Sequence, residues 1–225
     1  MNNTVGYPVR QVHVIKRESW TLSYKITTPD ETSILYTVQT SNGHPEVTVI
    51  RHLTPVPNNS QQASSTSRLS GQFSLSSLLR AHSQQQGDSQ YSNDYVVGTA
   101  RFHSLSSKID VNLSTNHAFQ MKRPDPFSST RRFESLTPLG TLEWRSDGGA
   151  LGSLITSNLK LVDGTGRTVA KYEKGSGLVS RGSSTITMLV PELDGFLDIV
   201  IMSCMATIEY RRVENKAASE AVGGV

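Results

Sequence analysis

Over most of the chain apolar and polar residues alternate with period two, in short runs rich in β-branched and aromatic side chains and punctuated by Gly, Pro, Asn and Asp. That is the pattern of half-buried antiparallel strands. It predicts strands at Trp20–Thr27, Thr32–Thr40 and Glu46–His52, then at Tyr95–Ser104, Lys108–Leu113, Ala118–Lys122 and Arg131–Leu136, and finally at Gly140–Arg145, Leu159–Val162, Arg167–Tyr172 and Ser184–Val190. The clearest hairpin spans Asn158–Tyr172, where Asp163-Gly164 and Gly166 are expected to supply the positive-φ positions of a tight reversal. In Gly140–Arg145 the alternation sets Leu142 and Trp144 on a buried face and Glu143 and Arg145 on a wet one.

The strand pattern stops at Pro191. From Glu192 to Arg212, acidic residues stand at the start and Arg211-Arg212 at the end, which complements a helix macrodipole. Projected onto a helix, the apolar residues of Phe196–Ile208 surround the axis instead of forming a stripe, so this helix must be enclosed. A hydrocarbon core requires about 20 apolar residues. This run is thirteen residues long with Asp198 and Ser203 within it, so a spanning helix is not expected.

The remaining enclosure is the chain's own sheet. Closing it into an antiparallel barrel removes sheet edges and creates a lumen. Eight strands leave room only for side chains, so a barrel of about twelve strands around a central hydrophobic C-terminal helix is the expected mainly-β fold. Burying about nine large apolar side chains of the helix contributes on the order of 15–25 kcal/mol before entropy, an upper bound.

One stretch breaks the pattern. From Thr54 to Asn93 Ser and Gln dominate, and such side chains bury too little apolar area to offset about 1–2 kcal/mol of backbone entropy per residue. The expected organisation is therefore one domain over residues 10–213, a disordered Ser/Gln-rich insertion at 54–93 and a flexible tail at 214–225. Within the insertion Leu75, Leu78, Leu79 and His82 carry helical spacing, readable as a transient turn or as a docking motif.

Composition narrows the function classes. The chain has 225 residues, with 22 Lys+Arg against 19 Asp+Glu, 18% charged and 7% aromatic, which argues against a nucleic-acid coat. Its single cysteine, Cys204, excludes an intramolecular disulfide and falls in the apolar run, where a packing role is expected. No apolar secretory segment interrupts the polar first 25 residues, so an intracellular, cytoplasmic location is expected.

No nucleophile elbow, Walker loop, His-Glu-x-x-His or dinucleotide fingerprint is present, and the six histidines, at 13, 44, 52, 82, 103 and 117, share no metal spacing. Gly164, Gly166, Gly175 and Gly177 lie between strands and read as turns. The chain is expected to be neither an enzyme nor a holder of metal or cofactor. Four basic pairs, Lys16-Arg17, Lys122-Arg123, Arg131-Arg132 and Arg211-Arg212, are solvated element ends unless several converge on one face, where they would hold an anionic headgroup by charge-assisted hydrogen bonds.

The block Leu139–Arg145, Leu159–Asp163, Val169–Tyr172, Glu192–Asp194 and Ile199–Arg212 resembles a family found mainly in fungi that is similar to the tubby C-terminal-like superfamily, with the plant LURP-one-related proteins and the phospholipid scramblases. The resemblance is best over residues 131–213. It implies a twelve-stranded barrel around a hydrophobic helix. Tubby proteins bind phosphoinositide headgroups through basic residues on the barrel exterior, but those positions match no residue here, so no lipid-binding residue is carried over. Scramblases carry an acidic, calcium-associated segment ahead of the last helix. Asp194 and Asp198 stand in a comparable place, yet two carboxylates fall short of the six to eight oxygens that Ca²⁺ prefers, and helix capping accounts for Asp194. The resulting expectation is a non-enzymatic binding module that recognises a phosphoinositide or other anionic membrane lipid, peripherally, or a protein partner, with a scramblase-like membrane protein as the alternative.

Overall fold

The computed structural model describes residues 11–15, 23–41, 45–57, 94–103, 106–125, 128–148, 158–175, 183–191 and 195–223. Twelve antiparallel strands and one C-terminal helix make up these residues. The strands are β1 (Gln11–Ile15), β2 (Ser23–Thr27), β3 (Ser33–Thr40), β4 (Glu46–Pro57), β5 (Asp94–Phe102) and β6 (Ile109–Leu113). They continue with β7 (Ala118–Met121), β8 (Arg131–Glu134), β9 (Thr141–Ser146), β10 (Leu159–Asp163), β11 (Thr168–Lys174) and β12 (Ser184–Met188). The helix α1 runs Phe196–Gly223.

The strands pair in the order β7-β6-β5-β4-β3-β2-β1-β12-β11-β10-β9-β8. Strands consecutive in sequence are neighbours in space except β7 and β8, the two ends, and one further pairing, β1 with β12, joins the N-terminal and C-terminal strands. No ladder joins those ends, so the pairing leaves the sheet open there. One isolated bridge crosses the gap, Lys122 to Arg132, with Lys122 N donating to Arg132 O at 2.8 Å and Arg132 N to Lys122 O at 2.8 Å. Phe119 and Phe133 stack nearby, their ring centroids 4.8 Å apart.

The period-two pattern delivers one face to the core, as in Ile34, Tyr36 and Val38 of β3 or Ile109 and Val111 of β6. In β5 the parity slips. Val49 pairs with Gly98 but Ile50 with Val96, so Val97 is an extra residue and both Val97 and Ala100 point inward. Gly98 beside it faces strand β6 so closely that a Cβ would lie 2.5 Å from Asn112 O.

Helix α1 is apolar around its whole circumference where it meets the sheet. Phe196, Val200, Ile201, Met202, Cys204, Met205 and Ala206 are all fully buried. Its polar members are matched in place: the Trp144 indole of β9 donates to Ser203 Oγ at 2.9 Å, and Thr207 Oγ1 donates to Ser203 O at 2.8 Å. No helix among the described residues is long and apolar enough to cross a membrane.

Several expectations change. A strand at Gln11–Ile15 was not anticipated, although Val12 and Val14 alternate with polar neighbours. β4 continues to Pro57, into the stretch expected as insertion, because Ser33 pairs with Pro57 and Ile34 with Val56. Residues 58–93, including the Leu75–His82 spacing, lie outside the described residues. The helix does not end at Arg212 but runs to Gly223, through most of the expected tail, so Arg211 and Arg212 are interior positions and do not complement a C-terminal dipole. In the β10–β11 hairpin only Gly166 has positive φ, at 85°, while Gly164 does not; Asp163 organises the turn instead, its carboxylate accepting from Thr165 N at 3.0 Å and from Arg167 N at 3.0 Å. Glu143 is not on a wet face. It is buried and accepts from the guanidinium groups of Arg132, at 2.9 Å, and Arg145.

Candidate functional site

Three of the four basic pairs converge. Lys122-Arg123 follows β7 and Arg131-Arg132 begins β8, so the bridge between Lys122 and Arg132 brings the two pairs together. The connection between them contains Pro124, which cannot continue a ladder. Arg211-Arg212 reaches the same place from α1, where Arg211 Nη2 donates to Ser129 O at 3.2 Å in that connection. The fourth pair, Lys16-Arg17, lies outside the described residues.

At the centre stands Glu214, on the helical turn after Arg211. Arg123 Nη2 donates to both of its carboxylate oxygens, 2.6 Å from Oε2, and Arg131 Nη2 lies 3.9 Å from Oε2. The Tyr210 ring, one turn earlier, carries the Arg131 guanidinium 4.2 Å above its centroid and that of Arg123 at 5.9 Å. Phe102 holds the ring edge-on at 5.5 Å. Arg131 is almost wholly buried and also donates to Ser107 O.

The charges do not balance. Arg123 and Arg131 bring two positive charges to one carboxylate, and Arg211, which donates to Ser129 O, adds a third close enough to feel Glu214 and Arg123. Burial, with the charge of Arg123 added, holds the Arg131 guanidinium below its ordinary value, and burial outweighs the opposing influence of Cys204 and Glu214 to hold Arg211 below its own. The Nε atoms of Arg123 and Arg211 are buried and have no acceptor among the described residues. A buried guanidinium donor left without an acceptor costs free energy that an incoming oxyanion restores. Around this core, the Lys122 side chain is exposed, Arg132 pairs with Glu143 and Arg212 pairs with Glu209 at 2.8 Å.

Sequence reasoning missed Glu214, Tyr210 and Ser129. Glu214 falls beyond the expected helix end, yet Val213–Ala221 contains neither Gly nor Pro and is rich in strong helix formers, which was the available signal.

A second cluster lies at the opposite end of α1. Asp198, in the first turn, accepts at Oδ1 from the Tyr36 hydroxyl at 2.7 Å and from Arg51 Nη1 at 3.1 Å, and at Oδ2 from the Tyr95 hydroxyl at 2.7 Å. Burial, followed by the influence of Asp198, pushes both phenols upward, so both remain donors. A cleft of about 260 Å³ opens beside it, lined by Tyr95, Val97, His117, Phe119 and Ile199 among others. Asp198 is thus a carboxylate already served by three donors, a guanidinium among them, which is the reverse of a cation site. Asp194 lies outside the described residues. Among the described residues no three His, Cys, Asp or Glu side chains gather as a metal site would need.

The other candidates are scattered. His52 Nε2 lies 2.8 Å from Thr37 Oγ1, His103 Nε2 lies 2.5 Å from Asp110 Oδ2 and His117 lines the cleft. Cys204 is fully buried, and burial pushes its thiol upward, away from the reactive thiolate. No protein-family model matches this chain, and no curated protein or solved structure is detectably similar to it.

Proposed function

We propose that this chain is a non-enzymatic binding module whose basic cluster beside β7, β8 and α1 takes the anionic headgroup of a membrane lipid of the phosphoinositide class. One observation carries the reading: the guanidinium groups of Arg123 and Arg131 share the single carboxylate of Glu214, with that of Arg211 close enough to feel the charges of Glu214 and Arg123, while the buried Nε donors of Arg123 and Arg211 have no acceptor among the described residues. Arg is suited to this role because its planar fork meets phosphate oxygens pairwise. Exposed Lys122 adds a long-range attraction worth about 1 kcal/mol near an anionic bilayer.

The same reading includes a barrel of the tubby C-terminal-like kind, closed where β7 meets β8. Its support is the two-bond bridge between Lys122 and Arg132, the stacking of Phe119 on Phe133, and hydrogen bonds from α1 to strands far apart in the sheet, namely Tyr36 of β3, Tyr95 of β5 and Trp144 of β9. A rigid ring of this kind would hold Arg123 and Arg131 at fixed separation across the seam.

Co-sedimentation with phosphatidylcholine vesicles containing a phosphatidylinositol phosphate tests the function. Binding is expected at low salt, should weaken as salt rises, and should fall sharply in the double variant Arg123→Gln, Arg211→Gln. Absence of binding by the wild-type protein at low salt refutes the reading.

A further inference from the structure

Glu214 is a poor match for the groups around it. Both of its oxygens are taken by one nitrogen, Nη2 of Arg123, instead of lying side by side along the guanidinium fork. Arg131 is left at 3.9 Å, and Nε of Arg123 and of Arg211 go unserved among the described residues. A carboxylate has two oxygens and one negative charge. A phosphate monoester has three terminal oxygens and up to two charges, which suits three converging guanidinium groups better. Glu214 is also the part of this cluster most easily moved, since its side chain is 35% exposed while that of Arg131 is 2% exposed. It sits on the last partly buried turn of α1, and residues 215–220 beyond it are all exposed.

We propose that Glu214 is an internal stand-in for the ligand: its carboxylate occupies the position against Arg123 and Arg131, with Arg211 beside them, that a phosphate monoester takes on binding, so ligand entry requires this carboxylate to swing out. Resting on the headgroup reading above, this adds that the site selects a phosphate monoester and that the protein carries its own competitor. In the empty state Glu214 lowers the cost of bringing three cations together. In the bound state it would place a negative charge against the phosphate, so it must leave. Affinity is therefore set by the difference between ligand and carboxylate, not by the ligand alone.

The test compares wild type with Glu214→Gln, which removes the charge and keeps the shape, and with Glu220→Gln, which makes the same change in net charge at an exposed position on the same helix outside the cluster. Each folded protein, checked by circular dichroism, is titrated with inorganic phosphate and, separately, with phosphatidylinositol-phosphate vesicles. Glu214→Gln should bind inorganic phosphate about three- to tenfold tighter than wild type, with Glu220→Gln indistinguishable from wild type. In the wild-type protein the ¹³C resonance of the Glu214 carboxyl should move to its free-solvent position as phosphate saturates. That measurement decides the matter even if Glu214→Gln does not fold.

Equal affinity in wild type and Glu214→Gln, or a Glu214 carboxyl resonance unmoved at saturation, overturns the stand-in role and leaves the headgroup reading intact. Equal tightening by Glu220→Gln also overturns it, since net charge alone would then account for the gain. Binding of free phosphate with displacement of Glu214 but no vesicle binding upholds the stand-in role and replaces the lipid by a soluble phosphate monoester. No binding of either probe by any variant removes both.

Discussion

Single side chains in this protein are matched most closely at the start of α1. At the first turn, Asp198 ties the helix to β3, β4 and β5 through Tyr36, Arg51 and Tyr95. Removing the carboxylate strands a partly buried guanidinium and two phenols, so Asp198→Ala should lower unfolding stability by about 2–4 kcal/mol, less than a fully buried pair because Arg51 is partly solvated. Tyr95→Phe removes only one donor and should cost about 1 kcal/mol. Urea titration of the two variants checks the ranking; equal losses would mean that the carboxylate is not the hub. The sequence displayed Asp198 as an acidic residue at a helix start and nothing more, since its three partners lie at least a hundred positions away along the chain. The Arg123–Glu214 pairing was hidden for the same reason, and was further concealed by ending the helix at Arg212, two residues before Glu214.

At the scale of elements, helix α1 and the bulged strand β5 are the two places where small changes should cost most. Leu197 and Met202 are buried about 140° apart around the helix, so Leu197→Ala and Met202→Ala should each cost about 2–5 kcal/mol. A stripe-like helix would tolerate one of the two, so thermal unfolding of both variants tests enclosure. Gly98→Ala should lose about 1–3 kcal/mol because its Cβ would meet the backbone oxygen of Asn112 at 2.5 Å, and neither strand can retreat without breaking a ladder. A gain in melting temperature for Gly98→Ala would show that β5 and β6 are less closely held than this. The strands were readable because period two has a local cause, the pleat. Their exact ends and the bulge at Val97 were not, because register is set by the partner strand. The helix end was misjudged from a charge pattern that turned out to serve Ser129 and Glu209.

For the molecule as a whole, acid should be the sensitive direction. Asp163 is held below the usual carboxylate range by hydrogen bonds from Thr165 and Arg167, and Glu143 is held below it because bonds from Arg145 and Arg132 outweigh the effect of its burial. A carboxyl whose folded pKa is depressed stabilises the fold at pH above its unfolded value, about 4, and that contribution fades as pH falls through the folded pKa. Stability should therefore be nearly flat from neutrality to about pH 5 and decline below about pH 4, and Asp163→Asn should show a shallower decline. Denaturant midpoints measured across that range test it; an unchanged slope in the variant would remove Asp163 from the acid response.

By itself the sequence determined a mainly-β chain built on alternation, one helix that is apolar on every side, and several paired basic residues. These are local regularities, written in the order in which side chains leave the backbone. Only the tertiary structure decided that β1 pairs with β12, that β7 and β8 approach at Lys122 and Arg132, and that Arg123 and Arg131 meet at Glu214 with Arg211 on Ser129 beside them. Residues that distant along the chain share no pattern at short range, and they meet because burying α1 against the sheet fixes where every strand end must lie.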